Sequence, residues 1–236
     1  MAQNQAVIVH PELGDVNVTT RRDARRIIAR WKNDGVRLTV PEGTSGDVIM
    51  RSLDSMAPRL LSRRPQVSFS DGQRIDLDGL SIAITRQNAK PGHLLISSSM
   101  GSASLAVGTA IDFSDSSATR LISRGMAAIA RDVAPDLLIP RAKELSKAIG
   151  RSPSAWRISA GRRILGKCDT DGVINLSYMN VFLPQHLRDY VVYHELAHLS
   201  EMNHGRRFHD LCDKYCGGRE KQLVSQLRSF KWPLLR

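Results

Sequence analysis

The sequence predicts an α+β chain: a β-rich N-terminal region over residues 1–118, then a region over 119–236 that combines a small antiparallel or mixed sheet with helices. Three observations carry this expectation. Short β-prone runs separated by Pro, Gly and Asp fill most of the first 112 residues. Beyond them, apolar positions recur at helical spacing. Near the C-terminus a cluster of histidines falls on one such stripe.

Ala6–Val9, Val16–Thr19 and Val36–Val40 read as strands. The arginine-rich run Arg21–Trp31 fits either a strand edge or a short helix. Thr44 or Ser45 is placed to cap a helix in which Val48, Ile49, Leu53, Met56 and Leu60 share one face. Residues 67–85 contain two Asp-Gly turn signals, and the runs HLLISSS and SLAVGTAID continue the strand character. Leu121, Met126, Ile129 and Ala130 predict a helix. Pro140–Ile149 predicts a second, with Pro140 in its first turn and Gly150 just past its end. Ser159–Ile164 and Val173–Tyr178 read as two strands around a turn at Asp169–Gly172, and Phe182-Leu183-Pro184 ends that sheet. Three helices follow: Leu187–Met202, Arg206–Tyr215 stopped by Gly217-Gly218, and Arg219–Phe230. No internal repeat at a fixed period and no low-complexity run is apparent.

A chain of 236 residues, 42% hydrophobic and 24% charged, is long enough to bury a core, which excludes a wholly disordered protein. Lys and Arg exceed Asp and Glu by 34 to 23, a net charge of +11. Residues 121–236 hold most of the excess, 19 basic against 11 acidic side chains, so nucleic acid is an expected partner of the C-terminal half. No run is long and apolar enough for a membrane span, and the first residues lack the basic start and apolar core of a secretory signal. Three cysteines, Cys168, Cys212 and Cys216, form no disulfide framework and point to a reducing compartment. A cytoplasmic protein without a membrane partner is the expectation. Cys212 and Cys216, four residues apart, are expected to pack in the core rather than to join Cys168 around a second metal. Neither GxxxxGK[ST] nor GxGxxG occurs, so nucleotide hydrolysis and hydride transfer have no support.

His194-Glu195-Leu196-Ala197-His198 is an HExxH pentapeptide inside a predicted helix. Residues i and i+4 stack on one helix face, so both imidazoles can bind one Zn2+. Glu195, turned by about 100°, is poor as a ligand but well placed to act on a metal-held water as general base. His204 follows His198 by six residues, within the turn signal Asn203–Gly205, and is the candidate third ligand. Glu201 and His209 are its rivals. Three protein ligands leave a fourth position for water, the catalytic arrangement, with one zinc per chain. The spacing equals that of metzincins, but Glu201 stands where that pattern has glycine.

The stretch Asp189–Phe208 (DYVVYHELAHLSEMNHGRRF) resembles the signature of the YgjP-like zinc metallopeptidases, small members of the zincin clan related to the SprT and WLM families. Tyr190, Val191, His194, Glu195, His198, Asn203, His204, Gly205 and Phe208 match that pattern, and Pro184 matches a proline before the helix. Upstream, a Trp-Gly-Ser-Cys strand motif of the family reads Leu165-Gly166-Lys167-Cys168 here, so Gly166 and Cys168 remain. The resemblance implies a zincin-like metallopeptidase core, zinc on His194, His198 and His204, and Glu195 as catalytic base. It implies a peptide or protein substrate, and the SprT and WLM relatives make DNA-associated substrates an expectation.

The function expected is hydrolysis of peptide bonds by a zinc-bound water that Glu195 activates, with Tyr193, Arg206 and His209 as candidates to support the developing oxyanion. Two alternatives keep the same residues. One is a zinc amidase that spares proteins, as deformylases do. The other is a nucleic-acid-binding module whose zinc is structural, which requires a closed site with four protein ligands.

Overall fold

Valine and leucine at every second position bury one face of a strand and expose the other. In the computed structural model, which describes residues 5–32, 35–62, 67–88 and 90–235, this pattern builds the first sheet. β2 (Gly14–Arg21) buries Val16 and Val18, and β4 (Gly35–Pro41) buries Val36, Leu38 and Val40. β1 (Gln5–His10) is antiparallel to β2, β2 is parallel to β4, and β3 (Ile28–Lys32) is antiparallel to β4, in the order β1-β2-β4-β3. The arginine-rich run is therefore strand at both ends, the close of β2 and the start of β3. Helix α1 (Gly46–Leu61) adds Leu53, Ala57 and Leu60 to the same core. The Trp31 indole N–H donates to the Leu60 carbonyl at 2.5 Å and ties β3 to the end of α1. Ser45 stands at the N-cap of α1 without a side-chain bond to it.

Contacts divide the chain into two compact units, Met1–Val67 with Leu235–Arg236, and Ser68–Leu234. The second unit opens with another four-stranded sheet: β5 (Arg74–Leu77), β6 (Leu80–Gln87), β7 (Leu94–Ser99) and β8 (Ser102–Gly108), in the order β5-β6-β8-β7. Its pairings are antiparallel, parallel and antiparallel, as in the first sheet. The registers correspond as well. Val16 opposite Val36 and Val18 opposite Leu38 are matched by Ile82 opposite Ala103 and Ile84 opposite Leu105. A repeat absent from the sequence as a fixed period is thus present as a topology.

Helix α2 (Ser116–Ala148) follows, and residue 118 falls in its first turn. The two helices expected at 121–130 and Pro140–Ile149 are one, running through Pro135 and Pro140. A proline inside a helix removes one hydrogen bond and crowds the carbonyl four residues back. Here the buried row Ile122, Met126, Ile129, Ala134, Leu138, Ala142 and Leu145 continues past both prolines. Burial of each large side chain contributes roughly 1.5–3 kcal/mol, and both prolines lie on the exposed face, where water reaches the freed carbonyls.

The remaining sheet has the order β10-β11-β9. β9 (Ala155–Ser159) is parallel to β11 (Val173–Ser177), and β10 (Gly166–Cys168) is antiparallel to it. Of the expected strand Ser159–Ile164 only Ser159 is strand, the last residue of β9; the rest belongs to the connection between β9 and β10, held by the Ser177 hydroxyl on the Gly161 carbonyl. The turn Asp169–Gly172 joins β10 to β11, and its glycine adopts φ +74°, open to residues without Cβ. A 3-10 helix over Tyr178–Phe182 leads into α3 (Gln185–His198), which ends four residues before the expected Met202. α4 (Arg206–Tyr215) has the expected bounds, and α5 (Glu220–Ser229) is one residue shorter than expected at each end. Among the described residues no helix is long and apolar enough to cross a membrane.

Candidate metal centre

Helix α3 stops at His198 because the chain tightens there. The Ser200 and Glu201 amides both bond back to the Ala197 carbonyl, and the Gly205 amide closes on the Asn203 carbonyl at 2.7 Å. This reversal returns His204 to the helix it has just left. One ring nitrogen from each of His194, His198 and His204 lies within 4.8 Å of the other two. Nε2 of His194 and Nε2 of His204 are 3.1 Å apart. The side chain of Phe208, in the first turn of α4 and fully buried, packs against all three rings. Its centroid is 4.8, 4.5 and 4.7 Å from those of His194, His198 and His204.

The donor set suits a metal. Burial pushes the His194 imidazole down to about 4, helped by the neighbouring His198, His204 and His209, so its ring is neutral with a lone pair to offer. His198 is shifted the same way, again chiefly by burial. Its Nδ1 is held by the Glu201 carbonyl at 3.0 Å, which fixes the ring and leaves Nε2 for an ion. Buried Nδ1 of His194 has no hydrogen-bond partner among the described residues. Three imidazoles crowded around one point gain little from one another, and all would gain from a shared cation. Such a set is characteristic of zinc. Glu201, a rival ligand by sequence, contributes its carbonyl, and its carboxylate is outside the cluster.

Glu195 is 4% exposed. Burial raises its carboxyl to about 7, against the opposing pull of a hydrogen bond from the Cys168 amide. A cation on the histidines would oppose that rise. The carboxyl rests on Gly166: a Cβ at this position would lie 2.6 Å from Glu195 Cγ and nearer still to Oε1. β10 thus serves the site through a missing side chain and a backbone amide. In the sequence, Gly166 and Cys168 appear only as remnants of the strand motif, 29 and 27 residues before Glu195, with nothing to announce the contact.

The other candidates lie around this cluster. His209 Nδ1 meets Glu220 Oε1 at 2.8 Å, linking α4 to the first turn of α5, while its ring stands 5.4 Å from that of Phe208. Arg206 is exposed in the first turn of α4, 3.8 Å from Asp210. The Tyr193 ring lies 6.2 Å from that of Tyr215, and burial raises its phenol. Cys168, Cys212 and Cys216 are buried free thiols. Among the described residues the three histidines are the single cluster of three or more metal-binding side chains.

The search of curated proteins gives no match. Among solved structures, the metallopeptidase zymogen of Pyrococcus abyssi abylysin is similar at 19% identity, over 39% of this chain and 96% of that one. The TM-score of that likeness is 0.32. The family profile described as "YgjP-like, metallopeptidase domain" matches residues 25–229, most of the chain, and the protein belongs to the YgjP-like metallopeptidase family.

Proposed function

We propose that this protein is a zinc-dependent peptidase whose catalytic core lies within residues 119–236. The observation that supports this most is the convergence of His194, His198 and His204 beside a buried Glu195 on the same helix. The three imidazoles would hold one Zn2+, which when bound supplies a Lewis acid that polarises a carbonyl and brings the pKa of a water towards about 7.

The chain's own residues do the remainder. Glu195 takes a proton from the attacking water and delivers it to the leaving amine nitrogen. Gly166 and the Cys168 amide keep its carboxyl in one place. β10 is at one end of the sheet order, so its outer edge is available for an extended peptide to pair along, close to Glu195. Arg206, exposed at the start of α4, and His209, oriented by Glu220, are the groups we assign to the substrate's developing oxyanion. The phenol of Tyr193 belongs to the packing against Tyr215.

A structural zinc needs a fourth protein ligand, and among the described residues no Asp, Glu, Cys or further His joins the three. This favours the catalytic reading over the nucleic-acid-binding module.

The test pairs metal content with turnover. Glu195→Gln is expected to keep about one zinc per chain and lose roughly 10²–10⁴-fold in peptide hydrolysis. His204→Ala is expected to lose the metal. Wild-type turnover in Glu195→Gln would sink the mechanism. Cleavage of small formyl amides with proteins left intact would move the protein to the amidases.

A further inference from the structure

A strand turns successive side chains to opposite faces of its sheet. On β10, the Cβ position of Gly166 points at the Glu195 carboxyl, and Cys168 is buried on the same side. Lys167 between them therefore projects from the other face, away from α3, and it is exposed. The registers extend this residue into a row. Lys167 stands opposite Asn175 on β11, and Asn175 stands opposite Arg157 on β9. Arg157 is exposed as well, and Asn175 is half-buried between the two cations. Among the described residues neither cation has a side-chain partner. The next acid along the chain, Asp169, accepts the amides of Asp171 and Val173 at 3.1 and 2.8 Å, which holds its carboxylate in the turn.

The backbone of β10 alternates too. The Leu165 carbonyl accepts the Ser177 amide at 2.8 Å, and the Asp169 amide donates to the Val173 carbonyl at 3.1 Å. Residues 165, 167 and 169 thus turn their polar backbone groups inward to β11, and Gly166 and Cys168 turn theirs outward to the free edge. There the Cys168 amide already serves Glu195. A peptide that adds antiparallel along this edge would exchange its backbone bonds with Gly166. Its next residue would stand opposite Lys167 in a non-hydrogen-bonded pair, where side chains lie closest and opposite charges attract. That side chain becomes the fourth member of the row Arg157–Asn175–Lys167.

We propose that Lys167 is a specificity residue: it selects peptides that carry a carboxylate side chain one residue along from the residue paired with Gly166. The inference rests on the peptidase reading and on pairing along β10, and it names the substrate class, chains with an acidic residue near the scissile bond.

The test walks one glutamate, or one lysine, through each position of a neutral ten-residue peptide of alanine, serine, threonine and leucine. Cleavage by the zinc-loaded wild type is followed by mass spectrometry. Binding to zinc-loaded Glu195→Gln is followed by backbone amide NMR shifts at Gly166, Lys167 and Asn175. At one position, fixed relative to the cleaved bond, glutamate should be preferred to lysine by about fivefold at low salt, in kcat/KM and in dissociation constant. This is the scale of exchanging an attractive for a repulsive cross-strand pair. Lys167→Glu should reverse the preference, and Lys167→Gln should remove it. Arg157→Glu, two strands further from the peptide, should change it less than Lys167→Glu does. A glutamate preference equal at every position would be the pull of the whole chain, with its net charge of +11, and would overturn the assignment. A preference that survives Lys167→Glu, or one that Arg157→Glu changes as strongly, would do the same. Binding without cleavage would sink the peptidase reading, and the dissociation constants would then decide on Lys167. Absence of saturable shifts along β10 would overturn the inference even if the peptides are cleaved.

Discussion

Two regions of this chain share a plan of four strands and a helix, with the same strand order and matching register, yet end differently. Helix α1, of 16 residues, packs on β3 and shares the core of its own sheet. Helix α2, of 33 residues, packs on β7 and β8 and also on β9, the 3-10 helix and α3. Near its start, Gly125 admits Leu94 and Leu105 of the sheet so closely that a Cβ would meet them at 2.7 and 2.8 Å. Further on, Arg131 stacks over the Tyr178 ring at 4.7 Å and Arg141 holds Asp189 of the metal helix. The difference lies in helix length. A helix that stops after its own sheet completes a module, and one that runs on becomes a scaffold for a site.

The sharpest way to break the comparison is at the site only the second region carries. Gly166→Val puts a branched side chain where the Glu195 carboxyl sits, so the carboxyl must leave its place. Turnover should fall by at least about 10²-fold, the scale of a misplaced general base. Zinc content should stay near that of wild type, because the histidines do not touch Gly166. Loss of both together would mean that β10 supports the metal helix as a whole rather than one carboxyl.

The next test compares equivalent core residues. Leu38 and Leu105 occupy corresponding places on β4 and β8, and both are fully buried. Each leucine-to-alanine change should cost roughly 3 kcal/mol, read by denaturant unfolding followed region by region with amide exchange. The two should differ in one respect. Gly125→Ala in the wild type should cost about 1–3 kcal/mol by overpacking against Leu94 and Leu105. In the Leu105→Ala background much of that cost should vanish, since one of the two clashing side chains is gone. A double-mutant cycle without coupling would show that α2 does not rest on β8 at this point.

The sequence is legible where local chemistry decides and opaque where distant contacts do. The Asp78-Gly79 turn marks the β5–β6 hairpin of the second sheet, and the bounds of α4 follow from Gly205 and Gly217-Gly218. Imidazoles four residues apart on a helix, with a third beyond a turn, need no long-range information to be noticed, and these three do lie together. The parallel pairing of β2 with β4 and β6 with β8 is invisible to periodicity, because a strand's alternation does not name its neighbour. Helix α2 misleads because two prolines argue for a break that its buried row overrules. The supports of Glu195 are hidden for a third reason: a glycine and a backbone amide leave no chemical signal in a sequence.

The smallest effect separates the two helices at their first residues. Asp115 caps α2 with a 2.9 Å bond from the Ser117 amide to its carboxylate, while Ser45 at the same place on α1 makes no such bond. Asp115→Ala should therefore lower the midpoint of unfolding measurably, as loss of an N-cap does, and Ser45→Ala should leave it nearly unchanged. The hydrogen bonds to Ser117 hold the Asp115 carboxyl below its ordinary value of 3.8. A group with a lowered folded-state pKa stabilises above its unfolded value and loses that contribution as pH falls through the folded one. The gap between Asp115→Ala and wild type should thus be full at pH 7 and shrink below about pH 4, while Ser45→Ala stays flat. Equal costs for the two alanines would mean that α2, with its long buried row, is held by packing alone and that its cap is redundant.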